Sequence, residues 1–150
     1  MSASSAEGDG GSSSPRAGTA GGLRLIRSGE LSGATAQTSG MVRSAAISGE
    51  LTGATALWMG RTELPPGVTS GDHHHGRSET GIYVVTGTPV FAWRDPGTGQ
   101  VVRAEARPGD YIWVPPWVPH REENPSKDEA AVIVIARSTQ EAIVVNVDEL

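Results

Sequence analysis

The stretch GVTSGDHHHGRSETGIYVVTG, residues 67–87, holds three of the chain's four histidines and runs into a short β-branched segment. In an extended strand alternate side chains share a face, so His73 and His75 point together while His74 points away. Glu79 has the parity of His73 and His75, although a turn at Gly76 weakens parity as a guide beyond it. A purification tag is excluded, because the run is short and lies mid-chain. The fourth histidine, His120, follows a proline-stiffened corner in GDYIWVPPWVPHREEN, residues 109–124. Three imidazoles and one carboxylate make a nitrogen-rich site for a divalent transition metal.

Outward from this stretch the chain reads as short strands separated by turns. TALWMGRTEL (55–64) runs into the breaker PPG (65–67), and PVFAWRD and VVRAEA flank PGTGQ (96–100) as a hairpin. DYIWV (110–114) is halted by PPWVP, and AAVIVIAR (130–137) and AIVVNV (142–147) are expected as late core strands. No window keeps helical periodicity over three turns. Evenly spaced strands with glycine and proline turns predict an all-β sandwich or barrel. SGELSGATA at 28–36 returns as SGELTGATA at 48–56, too few copies for a solenoid, and is expected to form two similar strand-and-turn elements. Residues 1–22 are small and polar and predict a disordered tail. One domain is expected over 23–150.

Composition narrows the function. The 150 residues contain no cysteine, which removes disulfides, thiolate metal sites and cysteine nucleophiles. A formal charge of −5 without a basic stripe argues against nucleic acid as a partner. No apolar stretch reaches membrane-spanning length, so a cytoplasmic protein with no membrane partner is expected.

Both histidine segments resemble the motifs of the small single-domain cupins. The first, G-x5-H-x-H-x3/4-E-x6-G, is matched by Gly67, His73, His75, Glu79 and Gly87. The second, G-x5-P-x-G-x2-H-x3-N, is matched by Gly109, Pro115, Trp117 in place of glycine, His120 and Asn124. The resemblance implies a jelly-roll barrel, a double-stranded β-helix, with the metal held by His73, His75, Glu79 and His120. Seven residues rather than six separate Glu79 from Gly87, so Thr80 stands at the usual ligand position when counted back. Either a one-residue bulge restores the Glu79 carboxylate, or three histidines hold the metal with Glu79 behind them. His74 reads as an exposed residue or a supporting one, and Asn124 also reads as a turn residue. Glu122 and Glu123 are expected on a solvated edge, and Trp58, Trp93 and Trp113 as barrel lining or core.

A finer resemblance joins QTSGMVRSAAI, ETGIYVVTG, GDYIWVPPWVPH and EAIVVNVD to a mannose-6-phosphate-isomerase-like subgroup of the RmlC-like superfamily. It is also similar to the zinc-binding cupin part of hydrazine synthetases, which points to specialised metabolism and N–N bond chemistry. The expected function is a metal-dependent enzyme acting on a small polar metabolite, with one ion per chain. Zn2+ or Fe2+ suits the donor set, and Mn2+ or Ni2+ would also fit. Tyr83 and Arg43 are candidates for catalysis; Trp117, Tyr111 and Trp93 are candidates for the substrate pocket. Two alternatives stand beside this reading: a non-catalytic binding or sensing protein, and an Fe(II)-dependent dioxygenase. The resemblance further implies a homodimer that exchanges the segment 23–56.

Overall fold

Strict alternation of buried and outward side chains makes the central segments strands. In Trp58–Leu64 the side chains of Trp58, Thr62 and Leu64 turn inward, and in Ala131–Arg137 those of Ala131, Ile133, Ile135 and Arg137 do. The structure, a computed structural model, describes residues 22–140 and 143–150. Among the described residues the strands are β1 (Val42–Ile47), β2 (Trp58–Leu64), β3 (His73–His74), β4 (Thr80–Thr86), β5 (Val90–Arg94), β6 (Val101–Glu105), β7 (Tyr111–Val114), β8 (His120–Glu123), β9 (Ala131–Arg137) and β10 (Val145–Asn146).

They form two five-stranded antiparallel sheets that face each other across the core. The first has the order β1-β2-β9-β4-β7, the second β10-β3-β8-β5-β6. This is the all-β architecture expected from the strand pattern, consistent with the jelly roll that the resemblance implies. β6 and β7 are edge strands of the two sheets, and a cleft lies between them.

Inward side chains of the first sheet lie in rows set by its register. One row runs through Ala45, Gly60, Ile135, Ile82 and Ile112. Ile82, Ile133 and Ile135 are at most 1% exposed, and burying each stabilises the fold by about 1.5–3 kcal/mol. Gly60 is required there because a Cβ would stand 2.5 Å from both the Ser44 carbonyl oxygen and the Trp58 ring. Gly87 ends β4 with φ +78, and a Cβ on it would come within 2.9 Å of Ala131.

Several local expectations are corrected. The repeated SGEL segments form helical turns, a 3-10 turn at Ser28–Glu30 and a helix α1 at Gly49–Thr52, rather than strands. Ser48 caps α1 by accepting the Leu51 N–H, a local bond that outcompetes extension. Of the expected strand 142–147, only Val145–Asn146 is a strand, and it is exposed; residue 142 lies outside the described residues. The tail expected at 1–22 also lies outside them, except Gly22. Among the described residues no helix is long and apolar enough to cross a membrane.

Candidate metal centre

β3 and β8 are neighbours in the second sheet, and their register sets His73 opposite His120. Antiparallel pairing puts directly opposed side chains on the same face. Here that face is the barrel interior, where His73, His75 and His120 are all at most 3% exposed. Ring centroids are 4.5 Å apart for His73 and His120, and 5.0 Å for each of the pairs with His75. One nitrogen from each ring lies within 4.8 Å of the other two.

The second nitrogen of each ring shows what the first is for. Nδ1 of His73 donates to the Gly71 carbonyl at 2.9 Å, that of His75 to Ile143 at 2.9 Å, and that of His120 to Val118 at 3.0 Å. A carbonyl only accepts, so each Nδ1 carries hydrogen and each neutral ring keeps its lone pair on Nε2. This is how metal-bound histidines are oriented in proteins. Nε2 of His73 and of His120 is buried without a hydrogen-bond partner, a costly arrangement unless something else occupies that position. Burial, with the Arg137 charge second, pushes the His75 pKa down to about 2, so that ring is neutral and available as a donor. Burial also lowers the His73 pKa, against an opposing pull from Glu122. The donor set fits a divalent transition metal.

His74 lies between the two inward rings and faces elsewhere. Its Nδ1 accepts the Gly76 N–H at 3.0 Å, and its ring packs 5.8 Å from Trp117. Trp117 replaces the motif's glycine with φ +65, the backbone region that explains why glycine is usual there. It is 65% exposed and packs beside His74, outside the set of residues that line the cleft reaching His120.

The carboxylate beside these rings differs from the sequence expectation. Glu79 stands outside the histidine cluster: it is exposed and accepts the Trp113 Nε1–H at 2.7 Å. Thr80, the next residue, is the inward one and is fully buried. Gly76, with φ +55, breaks the extended backbone between His75 and Glu79, so parity does not carry across it. A register shift does occur in β4, but it lies between Val84 and Thr86 and leaves Thr80 inward.

Glu122, expected on a solvated edge, is instead 1% exposed. Its Oε1 lies 3.5 Å from Nε2 of His120 and its Oε2 3.8 Å from Nε2 of His73. Ser70 holds it in place: the hydroxyl donates to Oε2 at 3.1 Å and receives the Glu122 backbone N–H at 3.0 Å. Burial alone would raise the Glu122 pKa, and the facing imidazoles outweigh it and hold the carboxyl well below its usual range. Burial likewise opposes charge on His120, yet Glu122 lifts that pKa above its ordinary value. The carboxylate thus stabilises positive charge at the converging nitrogens. The signal was available in HREE: His120 and Glu122 are two apart in one unbroken strand. Glu123 is also buried, in an ionic group with Arg103, Arg121 and, through Arg121, Asp72.

The remaining candidates divide. Trp93 pairs with His120 across β5 and β8 and lines a cleft of about 520 Å³, which reaches His120 at its inner end. Phe91, Ile112, Val114 and Val118 make its walls largely apolar, and Tyr111 lies at its exposed edge. Tyr83 turns to the outer face of the first sheet and packs against Tyr111, ring to ring at 4.9 Å. Trp113 is 64% exposed on that same outer face, not in the core. Arg43 is buried, but two of its nitrogens are engaged by the Ala36 carbonyl and the Thr38 hydroxyl. Asn124 Nδ2 donates to the carbonyls of Leu64, Pro65 and Glu129, tying three segments together.

Comparison with known proteins agrees with this architecture. A family model described as the cupin domain matches residues 60–136. No curated protein matches the chain in sequence. An oxalate oxidase in complex with the substrate analogue glycolate superposes with a TM-score of 0.65 and 21% identity, over 77% of this chain and 59% of that one. This chain therefore spans less than two thirds of that protein. The polyketide cyclase RemF from Streptomyces resistomycificus superposes with a TM-score of 0.67 and 19% identity, over 83% of this chain and 85% of the cyclase. Oxalate decarboxylase from Bacillus subtilis gives 0.65 and 17%, over 74% of this chain and 28% of its own. At such identities the likeness establishes the fold alone.

Proposed function

The chain belongs to the cupin family, and we propose that it is a metal-dependent enzyme acting on a small polar metabolite inside the barrel. The observation that carries this reading is the three imidazoles whose Nδ1 atoms are spent on carbonyls and whose Nε2 atoms converge. His73, His75 and His120 would hold one divalent ion, zinc or iron by the softness of the donors, with manganese and nickel also accommodated. Such an ion supplies Lewis acidity toward a carbonyl or carboxylate oxygen of the substrate.

The chain's own residues do the rest. The cleft admits a small molecule between Trp93, Ile112, Val114 and Val118, and these apolar walls exclude water around it. Glu122, held ionised by the facing imidazoles, keeps its charge beside His120 and His73 and would offset the positive charge of an ion on those rings. The neighbouring folds include an oxidase and a cyclase, so likeness does not select the reaction, and N–N bond chemistry in specialised metabolism is what the finer sequence resemblance suggests.

Elemental analysis of protein purified without added metal tests the reading. We expect close to one transition-metal ion per chain; none, even after reconstitution with zinc or iron, would overturn it. Oxygen consumption by the Fe(II)-loaded protein against a metabolite panel separates a dioxygenase from redox-neutral chemistry.

A further inference from the structure

The first sheet sends into the barrel a row of side chains that the histidine cluster does not use. Register places Trp58, Arg137, Thr80 and Val114 side by side on β2, β9, β4 and β7. Arg137 is 1% exposed, and none of its three guanidinium nitrogens has a hydrogen-bond partner. Its guanidinium carbon sits 5.0 Å from the centre of the Trp58 ring. Stacking covers a face of the planar group and leaves its N–H edge, the part that forks onto a carboxylate, unspent. Thr80 Oγ1, on the neighbouring strand, is also buried without a partner.

Among the described residues, Glu122 is the buried carboxylate whose field acts on both Arg43 and Arg137, while Glu123 is paired with Arg103 and Arg121. Arg43 is tied to Ala36 and Thr38, whereas Arg137 has only the Trp58 ring. Burial, reinforced by Arg43, draws the Arg137 pKa down to about 9, so the group remains a cation near neutrality. A buried cation without a hydrogen-bonded counter-charge is strongly disfavoured, and folds retain one where an anion is expected to arrive. The position suits a ligand of the site already described. Arg137 is the charge that weighs most on His75, and Val114 belongs both to the row and to the cleft that ends at His120.

We infer that the Arg137 guanidinium, with the Thr80 hydroxyl beside it, anchors the carboxylate of a small substrate held inside the barrel next to the three histidines. This deepens the proposed function and rests on it. One planar fork and one hydroxyl match the two oxygens of a carboxylate, whereas a phosphate dianion would call for a larger donor set.

The test uses the full chain with its metal content measured in every sample. Acetate is the probe, with acetamide as the uncharged control and inorganic phosphate as the competing anion; binding is followed through the side-chain 15N–1H signal of Arg137. Acetate is expected to shift that signal saturably, acetamide is expected not to, and phosphate is expected to bind at least tenfold more weakly than acetate. Arg137→Met should weaken acetate binding at least tenfold, read from ligand-observed NMR, while retaining the metal. Because Met fills the space without an unpaired charge, its melting temperature without ligand should equal or exceed that of the wild type. A clear drop in melting temperature would assign Arg137 a structural role and overturn the inference. So would acetate binding of equal strength in both proteins, or phosphate binding as tightly as acetate. Metal at one per chain with no acetate binding sinks this inference alone, and acetate binding without metal sinks only the metal reading.

Discussion

Two segments of this molecule carry a histidine followed closely by an acidic residue, and they treat it in opposite ways. In β8 the pair is His120 and Glu122, two apart in an uninterrupted strand, and both side chains enter the barrel. In the first motif the pair is His75 and Glu79, separated by a left-handed Gly76, and the carboxylate ends on the outer surface against Trp113. Sequence parity is therefore a statement about unbroken extended backbone. One residue with positive φ cancels it, even when the count comes out right.

That contrast can be broken most severely at the histidines. His75→Ala and His120→Ala should each abolish stoichiometric metal, while His74→Ala should retain it, as elemental analysis would show. Equal losses from all three would refute the alternation on which both segments are read. At the carboxylates, Glu122→Gln should lower metal affinity about 10–100-fold in chelator competition, because it removes the charge supporting two ligands. Glu79→Gln should leave that affinity within about twofold, as expected for an exposed group outside the cluster. The reverse ranking would return Glu79 to the metal.

Smaller effects sharpen the same comparison. Gly87→Ala forces a side chain into φ +78 and against Ala131, and should cost roughly 1–3 kcal/mol in urea denaturation. If it costs nothing, the turn that ends β4 is more plastic than its contacts imply. Trp113→Phe removes only an exposed hydrogen bond to Glu79 and should change stability within about 0.5 kcal/mol, with no effect on metal content. Loss of metal from that variant would mean that the Trp113–Glu79 pair reaches the site after all.

Much of this was legible in advance because it depends on local periodicity. The shared face of His73 and His75 and the opposite turn of His74 follow from a strand's two-residue repeat, while His120 joins them through the resemblance of its motif, and β9 reads as a core strand from its apolar run. Thr80 at the family's ligand position was visible in the spacing back from Gly87. The errors cluster where a polar residue's surroundings come from another strand. Glu122 reads as surface in a run of charged residues, yet Ser70, fifty-two positions away in the chain, supplies its partner. Trp113 reads as barrel lining or core, yet Ile112 and Val114 face the interior and Trp113 is 64% exposed.

The sequence by itself pointed to an all-β fold and to a trio of histidines, because strand-and-turn patterning marks the elements, alternation pairs His73 with His75, and the resemblance of the second motif adds His120. Only the tertiary structure decided which carboxylate stands beside those histidines and that Arg137 is left without a hydrogen-bond partner among them. Strand parity puts Glu122 on the face of His120, but whether a polar group on that face is sealed, and with which partners, depends on what the opposite sheet places over it.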